Sequence, residues 1–162
     1  FSMKVYGGFN TSLSWKGFDL SAIFAYSIGG YIYNRDITMI LHNGSLEGRD
    51  WSTEILKRWT PENRYTDVPA LSTTSNNWNS ASTRFLQNNS YMRLKNLTLS
   101  YDLPKQWISK LALSSVQVFV QGDNLFTIHR NQGLDPEQGI TGITYYRYPA
   151  MRTISGGINL SF

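Results

Sequence analysis

The chain has 162 residues, of which 14% are aromatic and only 16% are charged. Soluble domains carry about 25% charged residues, so this composition favours a β protein with one apolar and one uncharged polar face over a soluble helical protein. The formal net charge is +4, but the basic residues are dispersed among acidic ones, which argues against nucleic-acid binding. The absence of cysteine excludes disulfides, thiolate-zinc clusters and thiol catalysis.

The first two predicted strands show strict alternation. From Val5 to Trp15 every second residue belongs to a mostly apolar set, and the residues between them are polar or small. A turn at Lys16-Gly17 follows, and the alternation restarts at Phe18. We predict strands over about residues 3–15 and 18–33, which would form an antiparallel hairpin.

The alternation is lost over residues 34–90, which are rich in Asn, Ser, Thr, Gly and Pro. A connection of this length is usually functional or disordered. Within it, Asp50 followed by WSTEILKRW predicts a short helix that ends before the next proline. Its Trp51, Ile55 and Trp59 would share one face, which we expect to pack on the protein's own loops rather than on a partner lid protein.

Three further strands are predicted over about residues 91–103, 114–127 and 151–162, with a second irregular loop over 128–150. Short and long connections therefore alternate along the chain, as in outer-membrane barrels with short periplasmic turns and long extracellular loops. No run of about 20 apolar residues suggests a transmembrane helix, and the first residues lack the basic and apolar regions of a signal peptide. The pattern predicts an all-β, antiparallel transmembrane barrel portion in which 34–90 and 128–150 are extracellular loops.

Charged and aromatic residues fit two membrane interfaces. Arg93 and Lys95 have the parity of the apolar Leu97 and Leu99, and a basic residue facing lipid costs about 2–4 kcal/mol, so we expect both at or above the outer interface. Aromatic residues gather near the strand ends and predict two interfacial belts. The periplasmic belt comprises Trp15, Phe18, Tyr101 and Phe162, and the outer belt comprises Tyr31, Tyr33, Tyr91 and Phe126.

Several motifs resemble, in order, the late barrel of SusC/RagA-type TonB-dependent transporters of Bacteroidetes outer membranes. They are ILKRWTPENRYTDVPAL, RFLQNNSYMRLKNLTLSYDLP, VFVQGDNLFTI, GLDPE and YRYPAMRTISGGINLSF, and the resemblance covers essentially the whole chain. One departure is Ala70, where the family often has arginine after the proline. The resemblance implies the last five strands of a plugged barrel of about 22 strands, without the plug domain.

The resemblance also implies a function, a location and partners. Such transporters import nutrients across the bacterial outer membrane with energy from the TonB system, which acts on an N-terminal region missing here, and they pair with a SusD-like surface lipoprotein. Barrel assembly machinery, membrane lipid and lipopolysaccharide are the other expected partners. Since five strands cannot close a barrel, we expect this chain alone not to transport. The favoured substrate is an oligosaccharide, and the alternatives are a peptide importer of the same family and a soluble carbohydrate-binding β-sandwich.

No catalytic arrangement is evident, so we expect no enzyme activity, no cofactor and no metal. His42 and His129 are isolated in loops without metal-ligand spacing, which predicts solvated or hydrogen-bonded histidines. Asp135 and Glu137 lie close together in GLDPEQG, where Asp-Pro favours a turn and contact with calcium or substrate is the alternative.

Two groups of residues are candidates for function. The loop aromatics Trp78, Tyr145, Tyr146 and Tyr148 suit stacking on sugar rings or gripping a peptide, although packing within the loops would use them equally well. On the last strand, Ile158, Leu160 and the terminal Phe162 resemble the alternating signal that outer-membrane barrels present to their assembly machinery. Simple packing against lipid is the alternative for these three residues.

Overall fold

The computed structural model describes residues 3–42, 48–72, 80–108, 113–131, 133, 135–137, 142–144 and 146–162. Long strands dominate the described chain, and the helical elements are short. In chain order the elements are β1 (Val5–Trp15), β2 (Phe18–Ile28), β3 (Tyr31–Asn34), α1 (Arg35–Ile40), 3-10 turns at Thr53–Lys57 and Thr83–Phe85, β4 (Leu86–Asn88), β5 (Tyr91–Asp102), α2 (Lys105–Ile108), β6 (Ser115–His129), β7 (Ile143–Thr144) and β8 (Thr153–Ser161).

The five long strands form one open antiparallel sheet in the order β1-β2-β5-β6-β8. The connection between β1 and β2 is the two-residue turn at Lys16 and Gly17, both with positive φ, and β5 is joined to β6 by a short segment containing α2. Both short connections lie at one end of the sheet, and both long connections lie at the other. The predicted alternation of short and long connections is therefore present in the structure.

Strand register lines up the apolar residues on one side of the sheet, which we call the outer face. Most of these side chains are uncovered by any described residue, including Leu13 at 68% and Ile158 at 62% exposure. A contiguous apolar surface of this kind marks contact with a membrane or another protein, whereas a soluble sandwich would seal it between two sheets. One row of paired residues on the outer face comprises Trp15, Phe18, Tyr101, Val118 and Ile158.

The opposite side of the sheet, the inner face, is polar but poor in charge. Asn96 donates a hydrogen bond of 2.8 Å to the Asp123 carboxylate, and the Thr98 hydroxyl donates to the Asn96 side-chain oxygen at 2.9 Å. Such side-chain networks suit a hydrated or plugged interior, where polar groups retain partners. A row of paired residues on this face comprises Ser12, Ser21, Thr98, Gln121 and Ser155.

Two facing bulges, one at Lys95 in β5 and one at Asn124 in β6, correct the predicted orientation of Arg93 and Lys95. Ile23 pairs with Asn96, but the next residue of β2 pairs with Leu94, so Lys95 is an extra residue in β5. A bulge of one residue reverses the faces of the residues beyond it. Arg93 therefore lies on the inner face and is buried, and the expectation that it shares the apolar side with Leu97 was wrong.

The predicted strand 18–33 is two strands in two sheets. Gly29 and Gly30 have φ of +80° and +79°, a conformation that glycine adopts at little cost, and the chain turns there out of the large sheet. Beyond this break, β3 pairs antiparallel with β4 and parallel with β7 in a separate small sheet. The buried apolar residues of β3 and the first loop include Ile32, Leu41, Ile55, Val68 and Phe85, and Ile55 and Val68 form the loop core.

The helix predicted after Asp50 is a single 3-10 turn, Thr53–Lys57, whose N-terminus is capped by the Ser52 hydroxyl. Ile55 packs with Val68 in the loop core, whereas Trp51 and Trp59 remain exposed by about two fifths. The predicted common apolar face is thus only partly used. Among the described residues, no helix is both long enough and apolar enough to traverse a bilayer.

Candidate functional site

A buried arginine of the large sheet holds the second loop close to the end of β6. The Arg93 guanidinium donates to Asp135, to Glu137 at 2.9 Å and, through Nε, to the Thr127 hydroxyl at 2.9 Å. Lys95, the bulge residue, also pairs with Glu137. The Arg93 side chain is only 4% exposed and that of Asp135 8%, so this is a nearly desolvated ion pair with its hydrogen bonds satisfied.

Asp135 also organises the loop backbone. Its carboxylate accepts hydrogen bonds from the N–H of Glu137 at 2.9 Å and of Ala150 at 2.7 Å. Burial favours a higher pKa for Asp135, but the Ala150 and Glu137 N–H groups and Arg93 outweigh it, so the pKa of this carboxyl lies below its usual range. The predicted Asp-Pro turn is therefore observed, and its carboxylate contacts Arg93. Calcium or substrate contact at this residue stays a prediction.

The aromatic stretch near β7 is joined to the first loop. The Tyr146 N–H donates to the Asp36 carboxylate at 3.0 Å across 110 residues of sequence, and Tyr146 itself has a φ of +47°. A left-handed conformation in a tyrosine is uncommon and often marks a functional site. Asp36, Tyr146, Arg147 and Tyr148 line a shallow cavity of about 310 Å³, in which Tyr148 is 97% exposed.

The other predicted residues fall in several places. Trp78 and Tyr145 lie outside the described residues. Ile158 and Leu160 are exposed on the outer face near Phe162, which is 90% exposed. The rings of Phe18 and Tyr101 pack in a tilted arrangement with centroids 4.4 Å apart, beside the exposed Trp15.

Tyr31 and Tyr33 lie in the small sheet, and the Tyr33 ring meets Phe85 edge-on at 6.1 Å. Their contact with the membrane interface remains a prediction.

The two histidines differ from each other. His129 lies at the end of β6 and its Nδ1 is 2.9 Å from the Asn131 carbonyl oxygen, as expected for a hydrogen-bonded loop histidine. His42 is completely buried, and its ring meets Trp51 edge-on at 5.1 Å, so a solvated setting is wrong for this residue. Among the described residues, no group of three His, Asp or Glu side chains is arranged to hold a metal ion.

Sequence reasoning missed Asp36, Arg147 and the position of Arg93. No local pattern identifies Asp36, because its partner is distant in sequence and is a backbone N–H group. Arg93 was noticed as a charge within a strand, but the bulge that turns it inward leaves no trace in the apolar alternation.

Comparisons with known proteins agree with this architecture. No family model matches the chain. The TonB-dependent receptors P3 and P26 of Formosa agariphila are 33% and 30% identical to it over 96% of its length, and the TonB-dependent receptor SusC of Bacteroides thetaiotaomicron is 28% identical over 96%. The chain spans about a sixth of the length of these relatives, 15 to 16%.

Solved structures of the RagAB peptide importer are also similar. The matching chain is 34% identical in both the open-open and the closed-closed state, with TM-scores of 0.88 and 0.86 respectively. The match covers 99% of the present chain and 17% of the RagAB chain. The chain thus resembles a C-terminal barrel segment of the SusC/RagA-type TonB-dependent receptors, and its large antiparallel sheet is similar to part of their barrel wall. TonB-dependent receptors of this type are outer-membrane proteins, and the relatives found are transporters and receptors rather than enzymes.

Proposed function

We propose that the protein containing this segment imports a nutrient across the outer membrane in a TonB-dependent manner. The observation that carries the proposal is the amphipathic sheet, with an uncovered apolar outer face and a polar inner face, in a segment that matches a solved importer at a TM-score of 0.88. The segment contributes five wall strands and two extracellular loops. TonB would act on parts of the protein that lie outside this sequence.

The favoured substrate is an oligosaccharide that contacts the cavity lined by Asp36, Tyr146, Arg147 and Tyr148. Exposed tyrosine rings provide apolar surfaces for sugar rings, and the carboxylate and guanidinium beside them can hydrogen-bond to hydroxyl groups. A peptide is the second candidate, since the similar RagAB is a peptide importer and this cavity combines one acidic with one basic side chain. Trp78 and Tyr145 remain candidate contacts.

Binding to the intact transporter would separate the two substrate classes. We would titrate purified full-length protein with defined oligosaccharides and with peptides, and measure heat by calorimetry. An oligosaccharide importer should bind a sugar. Tyr148→Ala should weaken this binding by about tenfold, because stacking on an aromatic side chain contributes about 1–3 kcal/mol to binding. Tyr65→Ala, an equally exposed tyrosine of the first loop, is the matched control. Binding of peptides alone would establish the second candidate, and uptake without an energised TonB system would contradict the proposed mechanism.

We further propose a SusD-like surface lipoprotein as partner, because the similar solved importer is the two-component RagAB. The two long loops at the extracellular end provide the surface for such a partner. Co-purification of a lipoprotein with the full-length transporter from the native membrane would support this, and its absence under mild detergent conditions would count against it. We also propose that barrel assembly machinery inserts the protein, which the exposed apolar face of the large sheet supports.

A further inference from the structure

Among the described residues, no strand pairs with one edge of β6 above the point where β8 meets it. β8 pairs with β6 only as far as Thr153 opposite Asp123, whereas β6 continues to His129 and pairs there with β5 on its other side. Backbone groups without partners are not tolerated against hydrocarbon. The hydrocarbon boundary beside this edge must therefore lie at or below the level of Thr153.

A cleft opens along this uncovered edge. Its volume is about 530 Å³, and residues near the end of β6 line one side while Pro149, Ala150 and Arg152 line the other. At its lower end Asn124 has a φ of +52°, and its side-chain amide donates to the Met151 carbonyl oxygen at 3.2 Å. This contact joins the strands where they separate, so the cleft has a defined floor at the membrane boundary.

The charges around the cleft are segregated. Both carboxylates in the described part of the second loop, Asp135 and Glu137, are engaged by Arg93 and Lys95. Arg152, in contrast, has no acidic partner among the residues that the structure describes. The Asp135 carboxylate also lines the cleft, but Arg93 engages it. The Arg152 guanidinium therefore remains available for a phosphate, which it would bind through two parallel N–H groups.

Apolar side chains lie next to Arg152 on the outer face. Phe126 of β6 lines the cleft and is 44% exposed, and Ile154 and Met151 are more exposed still. The cleft therefore offers a cationic group at the boundary and apolar surface beside it. A ligand that matches both has a phosphorylated headgroup and acyl chains.

We propose that this cleft binds the phosphorylated headgroup of an outer-leaflet lipid of the lipid A type, with Arg152 contacting the phosphate and Phe126 and Ile154 contacting acyl chains. The site rests on the outer-membrane position of the barrel and not on the identity of the transported substrate. Lipid bound there would cover the unpaired edge of β6 and fill the gap between β6 and the start of β8.

Native mass spectrometry of the delipidated full-length transporter tests this site with added lipid A. We expect Arg152→Gln to raise the dissociation constant for phosphorylated lipid A about fivefold, as for loss of one basic group beside an anionic headgroup. Arg152→Lys, which keeps the positive charge but not the two parallel N–H groups, should restore only part of the affinity. The matched control is Arg49→Gln, because Arg49 is an exposed arginine of the first loop and should leave the affinity unchanged.

Dephosphorylated lipid A is the second probe, and it should bind the wild-type protein as weakly as phosphorylated lipid A binds the Arg152→Gln variant. Equal affinity of the wild type for both lipids, or an unaltered affinity in Arg152→Gln, would overturn the proposal. Displacement of lipid A by equimolar inorganic phosphate would also overturn it, because the site would then be a free-anion site. All variants must first show heat-modifiable migration of an assembled barrel. Substrate uptake by Arg152→Gln should be retained, because the lipid site is independent of transport. If the wild-type protein shows no uptake, the transport proposal alone is refuted.

Discussion

The guanidinium of Arg93 lies against the carboxylate of Asp135, 42 positions further along the chain, and links the second long loop to the inner face of the large sheet. The same carboxylate accepts a hydrogen bond from the N–H of Ala150. Asp135 therefore connects the first half of this loop to its end as well as to the sheet. The tyrosines of the proposed substrate cavity lie within that loop.

Replacing Arg93 should release the loop. Arg93→Gln leaves the buried Asp135 carboxylate without its charge partner, a change that typically costs about 3–5 kcal/mol. Hydrogen–deuterium exchange in the assembled full-length protein should therefore accelerate strongly over residues 142–150. Lys57→Gln, which removes an exposed ion pair with Glu54, should change nothing measurable. Unchanged exchange in Arg93→Gln would show that other contacts hold the loop.

The Arg93–Asp135 ion pair, which holds the second loop, should weaken only at acidic pH. The pKa of Asp135 is lower in the folded protein than its ordinary value of about 3.9. The ionised carboxylate therefore contributes its full stabilisation above the ordinary pKa, and this stabilisation is lost as the pH falls through the folded pKa. Exchange over residues 142–150, corrected for the intrinsic rate, should be constant from neutral pH to about pH 4 and should rise below it. Asp135→Asn should exchange fast already at neutral pH, and a loss of protection of the wild type near pH 6 would contradict this assignment.

The Asp36–Tyr146 contact should hold the aromatic stretch in its unusual conformation. Asp36→Ala removes the acceptor of a hydrogen bond to a charged group, worth about 1.5–3 kcal/mol, so the Tyr146 amide should exchange roughly 10 to 100 times faster. The same substitution at Asp67, an exposed acidic residue of the first loop, is the comparison. A protected Tyr146 amide in Asp36→Ala would mean that the left-handed conformation is stabilised by other contacts.

Close backbone approach makes Gly8 more sensitive to substitution than its neighbour. A Cβ atom at Gly8 would lie 2.9 Å from the Phe24 carbonyl oxygen, whereas at Gly7 the nearest atom is the Tyr26 hydroxyl at 3.0 Å. The backbone of β2 cannot move without disturbing its register, but the end of a tyrosine side chain can. We expect Gly8→Ala to reduce the yield of heat-modifiable barrel in the full-length protein and Gly7→Ala to leave it near that of the wild type. Equal yields would refute the steric argument.

The proposed assembly signal can be tested at the last residue. Phe162 is 90% exposed and lies outside the paired part of β8, so its deletion removes little packing within this sheet. A lower yield of assembled barrel after deletion would support recognition by the assembly machinery, and Phe162→Tyr should preserve the yield. If deletion leaves assembly unchanged, Ile158 and Leu160 serve lipid packing alone.

The long strands were predictable because alternation follows directly from burial of one face. Val5 to Trp15 and Thr153 to Ser161 lie within about two residues of their predicted bounds. The break at Gly29-Gly30 was missed because the apolar alternation continues through Tyr31 although the chain enters another sheet. Only backbone conformation separates the two elements there.

The candidate site was harder to predict than the wall. Its aromatic component was visible in composition, since Tyr146 and Tyr148 stand out in a polar loop. The carboxylates that position this loop act through partners 42 and 110 residues away, and a single sequence contains no information on such distances. The complete burial of His42, whose ring meets Trp51, likewise is not evident from its neighbours in sequence.

The facing bulges at Lys95 and Asn124 set a rule for building chimaeras. Below the bulges, β5 and β6 pair in one continuous register that begins with Asn96 opposite Asp123. Above the bulges, Leu94 is opposite Phe126, which is a register shifted by one residue from that below. A graft that exchanges the extracellular end with that of a relative must therefore cross over on the same side of both bulges. A crossover that retains only one of them would displace one strand by a residue and turn its apolar side chains towards the lumen.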